Sequence, residues 1–267
     1  MNKYCISVAY QNYNSTPFQT LDIIKKSGFD SVFLKWYDED WEISQFMQAD
    51  YCKKIGLNIE FAHLGYQNMS YIWSPDKIYD SFVERYKKDL NDLKKYDINH
   101  ALLHTNGKKI LFPINEVGLI RFREIIDYAK KLNIKISLEN TSFKEELEYL
   151  LDYFSGYDNV GLCFDTGHYQ AYFNADWDIS RYKNRLFSVH IHDNDGIHDS
   201  HMIPFDGVID WTDTMNKIIN LNYSYPLTLE LMYMNDYINK MSIEEFYSKA
   251  FKSILEIEKM ISKKDNQ

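Results

Sequence analysis

Eight apolar, β-branched runs of strand length recur along the chain, at 4–10, 31–36, 58–64, 100–105, 135–140, 160–166, 186–193 and 226–231. Between them lie segments with apolar residues at helical spacing, such as Phe82, Tyr86, Leu90 and Leu93 within 76–97, and Leu119, Phe122, Ile126 and Ala129 within 115–132. Strand and helix periods that alternate eight times predict a parallel sheet with helical crossovers. The strands are hydrophobic almost throughout, as in a sheet covered on both faces. Eight such units in 267 residues fit a closed (β/α)8 barrel, an α/β fold, with residues 1–267 as a single domain. A doubly wound open sheet is the competitor. It would carry a glycine-rich phosphate turn after its first strand, and QNYNSTPF after Tyr10 has none. Turn chemistry agrees with the barrel: Gly28 and Gly56 stand where helices should stop before strands, and Pro75 with Asp76 marks a helix start.

Composition supports one large core, with 45% hydrophobic and 16% aromatic residues and no Pro/Gly/Ser-rich linker. The net charge of −9 argues against a polyanionic partner. Arginines Arg85, Arg121, Arg123, Arg181 and Arg185 all fall on predicted helices or just before a strand, away from the strand C-termini. The basic residues near those termini are Lys35, Lys108, Lys109 and Lys144. Cys5, Cys52 and Cys163 form no metal-type spacing, and an odd count points to reduced thiols in a cytoplasmic protein. No signal peptide and no apolar run of membrane-spanning length is expected.

Six strand-type runs end on a potential metal ligand: His63, His104, Glu139, Asp165, His190 and Glu230. Two following motifs add His168, then Asp199 and His201. Any one of these alone is an ordinary loop anchor or a carboxylate paired with a nearby cation. Six together are different, because a closed barrel directs all its strand C-termini at one spot. Glu139, Asp165, His190 and Glu230 offer three carboxylates and an imidazole from consecutive strands. That mixture suits a divalent cation, Mn²⁺, Mg²⁺, Co²⁺ or Zn²⁺. His192 shares the strand face of His190 and is a candidate to reach substrate, whereas His198 reads as a loop surface residue.

The ordered motifs GluAsnThr at 139–141, CysPheAspThrGlyHis at 163–168, ValHisIleHisAsp at 189–193 and AspSerHis at 199–201, followed by PheAspGlyValIleAspTrp at 205–211, resemble those of the xylose isomerase-like TIM-barrel superfamily. That superfamily contains sugar isomerases and epimerases, inosose-processing enzymes and the endonuclease IV group (AP endonuclease family 2). The resemblance implies one metal held by Glu139, Asp165, His190 and Glu230. It also implies a sugar or cyclitol isomerase or epimerase working by proton transfer through an enediolate, with Glu139 and Glu230 as the acid/base pair. His63, His104, His168, His192 and Lys35 are then substrate-binding candidates. Two departures stand out. The loop after His190 lacks the arginine usual in ketose 3-epimerases, and Asp206 stands where the superfamily commonly has glycine.

Endonuclease IV, a three-zinc phosphodiesterase acting on abasic DNA, is the rival. All nine of its ligand types are matched, by His63, His104, Glu139, Asp165, His168, His190, Asp199, His201 and Glu230. Its AspArgHis, however, appears here as AspSerHis, and the 63–73 loop carries no positive charge. A small-molecule partner is therefore expected and nucleic acid disfavoured. Barrels of the superfamily often dimerise, so a homo-oligomer is compatible, with Trp36, Tyr37 and Trp41 as candidates for its aromatic edge.

Overall fold

The computed structural model describes residues 3–8, 15–37, 43–107, 109 and 111–262. Eight parallel strands follow one another in chain order: β1 Tyr4–Ser7, β2 Ser31–Trp36, β3 Asn58–Leu64, β4 His100–Leu103, β5 Lys135–Glu139, β6 Val160–Asp165, β7 Leu186–His190 and β8 Leu227–Leu229. The sheet closes on itself. β8 pairs with β1, and beyond β7 a parallel bridge joins Ile191 to Leu229, with Ile191 N–H donating to Thr228 O at 2.8 Å. Around it run α1 Pro17–Ser27, α2 Gln45–Ile55, α3 Ser81–Lys95, α4 Glu116–Lys131, α5 Lys144–Tyr153, α6 Thr166–Phe173, α7 Trp211–Asn220, α8 Asn235–Ile238 and α9 Ile243–Ser262. The fold is the expected (β/α)8 TIM barrel.

Alternation along each strand sorts side chains between two cores. Tyr4, Ile6, Val32, Leu34, Ala62, Leu64, Ala101, Leu103, Leu162 and Phe164 join the large core beneath the helices. The residues of opposite parity, Cys5, Phe33, Phe61, Leu102 and Cys163, form a separate small core inside the barrel. Two residues further along these strands come Lys35, His63, His104 and Asp165. The pleat therefore aims them into the barrel, one layer above the inner core. Glu139, His190 and Glu230 follow Ser137, Ser188 and Thr228 in the same way.

Gly28 and Gly56 end α1 and α2 at φ 110° and 67°, as their positions in the sequence suggest. The runs 31–36 and 58–64 coincide with β2 and β3, whereas the strands predicted to reach 105, 140, 166, 193 and 231 stop one to three residues earlier. Residues 9 and 10 of the first run lie outside the described residues. The helix predicted from 76 begins only at Ser81. Asp76 instead caps a 3₁₀ turn at Lys77–Asp80. The reason is Arg121: its guanidinium takes the carbonyls of Ile72, Ser74 and Asp76 and pairs with the Asp80 carboxylate at 2.8 Å, so this stretch stays a loop. Trp36 is fully buried against Phe46 and Tyr96 and offers no aromatic edge for a partner. Tyr37 is half-buried and Trp41 lies outside the described residues. Among the described residues no helix is long and apolar enough to cross a membrane.

One close approach tests the packing of α4 on the 69–73 turn. A Cβ at Gly118 would stand 2.1 Å from the ring of Trp73, a fully buried side chain with no room to retreat. Gly118→Ala should lower stability by about 1–3 kcal/mol through overpacking, measured by urea unfolding. No loss would mean that the ring has space the structure does not show.

Candidate metal centre

Four strands bring their terminal side chains to one point. Ligand atoms of Glu139, Asp165, His190 and Glu230 all lie within 4.8 Å of one another. His190 Nδ1 stands 2.9 Å from Glu230 Oε2, 3.3 Å from Glu139 Oε1 and 3.7 Å from Asp165 Oδ2. Its ring lies on the inner aromatic core, 5.1 Å from Phe33 at 18°, which fixes its plane. The other sequence-predicted residues surround this group. His104 Nε2 approaches Glu139 Oε2 at 3.0 Å and His63 Nε2 approaches it at 3.7 Å. His168 Nδ1 lies 3.4 Å from Glu139 Oε1, and its Nε2 lies 3.2 Å from Asp199. Asp199 in turn meets His201 Nε2 at 3.2 Å.

Asp165 is held from several sides. Its backbone exchanges two hydrogen bonds with the Asn140 side chain, and its Oδ1 accepts the His168 N–H at 2.6 Å as the cap of α6. His192 is the residue whose place differs most from expectation. It is fully buried, its Nε2 sits 3.0 and 3.1 Å from the two oxygens of Asp165, and it does not line the cavity. The chain has already turned behind Asp165 at that point, with Gly167 packed so tightly on the ring that a Cβ would come within 1.9 Å. His198 is an exposed loop residue bonded to Asp195.

Glu139, Asp165 and Glu230 meet no lysine or arginine among the described residues; their charged neighbours are imidazoles. Burial pushes the Glu139 carboxyl up, but His104 and His190 outweigh it and hold the group well below the usual carboxylate range. Against the effect of burial, Glu230 and Glu139 hold His190 well above an ordinary imidazole. His201 is likewise driven up to about 9, against burial, by Asp199. Burial, with His104 adding to it, pushes His63 down to about 4. His190 Nε2 is buried without a hydrogen-bond partner, and the buried Glu139 Oε2 meets only imidazole nitrogens. An oxygen-rich donor set with one imidazole fits a divalent cation. Two further groups, His63, His104 and Glu139, and His192, His201 and Glu230, also have ligand-competent spacing.

Above this point lies a cavity of about 500 Å³, within the usual range for small-ligand sites. Its wall includes Lys35, His63, His104, Glu139, His168, Asp199, His201 and Glu230. Sequence reasoning did not single out Tyr66, Tyr172 and Met232, which also line the cavity. Tyr66 and Met232 lie on loops, where no strand or helix period marks them, and Tyr172 lies in the last turn of the short helix α6. Lys35 is the one lysine or arginine in that wall among the described residues, and the arginines are used elsewhere. Arg85 bonds Gly65 O, Arg185 bonds the carbonyls of Leu151, Phe154 and Val160, Arg181 pairs with Asp152 and Arg123 covers Tyr153.

The chain is 33% identical over 147 residues to the uncharacterized protein y4fM of Sinorhizobium fredii, covering 53% of this chain and 46% of that one. It thus spans about half the length of the first curated relatives it matches. It is 21% identical over 268 residues to an inosose isomerase of Bacillus velezensis, covering 91% and 92% of the two chains. Among solved structures, that of L-ribulose 3-epimerase superposes with a TM-score of 0.76 at 17% identity, covering 99% of this chain and 97% of that one, a likeness of fold. The family description "Xylose isomerase-like TIM barrel" matches residues 21–254, and the chain belongs to that family.

Proposed function

We propose that the chain is a divalent-metal-dependent isomerase or epimerase of small sugars or cyclitols. The observation that carries this reading is the placement of Glu139 and Glu230. They reach the same cavity from β5 and β8, both within hydrogen-bonding range of His190 Nδ1. The names of the similar inosose isomerase and L-ribulose 3-epimerase, which point to polyhydroxy ketone chemistry, support it. When bound among Glu139, Asp165, His190 and Glu230, a divalent cation supplies Lewis-acid polarisation of a substrate carbonyl. One of the two glutamates takes the proton from the carbon beside that carbonyl. The C–H electron pair moves into the carbon framework and the carbonyl oxygen gains negative charge, giving an enediolate. For epimerisation the other glutamate, entering the step protonated, delivers its proton to the opposite face; for isomerisation the first returns its proton to the neighbouring carbon while the hydroxyl proton passes to the former carbonyl oxygen. His63, His104 and His168 present ring nitrogens to hydroxyl groups and fix the sugar's orientation. Tyr66, Tyr172 and Met232 give its C–H face an apolar wall. Among the described residues the wall carries one lysine, Lys35, which suits a hydroxyl or one charged oxygen better than a phosphate, so unphosphorylated substrates are favoured.

The zinc phosphodiesterase reading keeps one observation in its favour, the two additional ligand groups beside the central one. Against it stands the cavity wall, which offers a DNA backbone no arginine among the described residues.

The role of His190 makes one expectation specific. Its Nδ1 faces all three carboxylates, whereas His192 touches only Asp165 among them. Titration calorimetry with Mn²⁺ should give His190→Ala a loss of affinity beyond about 100-fold, and His192→Ala one of roughly 10-fold, the scale of an orienting partner. Equal losses would mean that the ligand histidine is misassigned. Proton transfer is tested by turnover in D₂O across ketoses, aldoses and inososes. One substrate carbon should acquire deuterium, and Glu139→Gln and Glu230→Gln should each abolish labelling while circular dichroism is unchanged. Turnover without solvent-derived label would instead indicate hydride shift or hydrolysis.

A further inference from the structure

The motif ValHisIleHisAsp ends on Asp193, which neither lines the cavity nor joins the central carboxylates. Asp193 is fully buried, yet its carboxylate is fully used. Oδ1 accepts the backbone N–H groups of Asn194 at 2.9 Å and Ile209 at 3.1 Å. Oδ2 accepts the N–H of Phe205 and the indole Nε1–H of Trp211, each at 3.0 Å. The Asp193 backbone forms both bonds of an antiparallel bridge to Met202, each 2.8 Å long. Gly207 packs against the same carboxylate: a Cβ there would stand 2.3 Å from Oδ1 and 2.2 Å from Asn194 O.

These donors come from both ends of the long connection between β7 and α7. Between them stand Asp199 and His201. His201 has φ 46° and Phe205 φ 75°, a left-handed backbone that non-glycine residues hold only where their surroundings impose it. His201 is met on its other side by Glu230 O, 3.0 Å from its Nδ1, and its own carbonyl accepts the Met232 N–H. The connection is thus folded around one carboxylate at its base and presents two side chains to the cavity at its tip.

We propose that Asp193 is a positioning residue: its carboxylate gathers the 194–210 loop so that Asp199 and His201 stand against His168, His192 and Glu230. Both of its oxygens face N–H donors. An asparagine would turn an NH₂ group toward one pair of them and leave buried donors unmatched. Only the consequence for turnover rests on the isomerase reading; the consequence for the loop does not.

The test is Asp193→Asn in the full chain, with Trp211→Phe as a milder variant that removes a single donor. Hydrogen exchange should speed up at least tenfold for the loop amides, including Phe205 and Ile209, while β1 to β6 exchange as before. For Trp211→Phe the acceleration should be about threefold. Mn²⁺ affinity should stay within threefold of wild type, because three of the four central residues lie on the barrel strands and Glu230 directly follows β8. With a substrate that wild type turns over, kcat should fall at least tenfold and KM should move less than threefold. Loop exchange unchanged in both variants would overturn the proposal. So would strand exchange rising in step with the loop in the folded Trp211→Phe protein, since that describes a general stabiliser. If wild type turns over no sugar, the isomerase reading fails and the exchange data still judge the anchor.

Discussion

Three carboxylates within a few ångströms of one another, Glu139 and Asp165 buried and Glu230 nearly so, form the constraint on which the site is built, for among the described residues no lysine or arginine pairs with them. Isolated burial of one such charge is costly, and like charges in contact are worse. Glu139, Asp165 and Glu230 can share this space only because imidazoles border them and because a dication can take their place as counter-charge. The ring of histidines follows from that requirement. So do the opposed shifts of Glu139 and His190, which are two sides of one interaction. A cation bound in this group would compete with the proton that Glu230 and Glu139 favour on His190, and its binding would then release that proton.

Nothing local in the sequence brings these groups together; barrel closure does. The inner and outer cores separate by strand parity, and the inner set, Cys5, Phe33, Phe61, Leu102 and Cys163, leaves no room for polar groups at mid-barrel on those strands. The next inward position opens to the cavity at Lys35, His63, His104, Glu139 and Glu230, and lies buried beneath it at Asp165 and His190. A register slip of one residue on β5 or β8 would send Glu139 or Glu230 under the helices instead, so the apolar packing also specifies the chemistry.

The barrel and the inward positions of these side chains were legible because both rest on period two, which a sequence displays directly. His63, Glu139 and Asp165 sit at the strand ends where alternation put them, and His104 and Glu230 come one residue beyond. His192 shows where the same reasoning fails. Alternation puts it on the face of His190, but β7 ends at His190 and the chain bends behind Asp165. The helix start misread at Asp76 has a comparable origin, since the guanidinium that holds 72–76 as a loop belongs to Arg121, far along the chain. Asp193 closes the ValHisIleHisAsp motif, yet its four hydrogen bonds depend on a loop fold with no periodic signature.

Metal stoichiometry tests the central claim most directly. Native mass spectrometry of the metal-replete chain, with elemental analysis, counts the ions that the carboxylate group and its histidines hold. The account predicts about one tightly bound divalent ion per chain, retained in His104→Ala and lost in His190→Ala. No bound ion after reconstitution would contradict it outright. Three zinc ions per chain, together with salt-sensitive nicking of abasic DNA, would assign the same residues to phosphodiester cleavage instead.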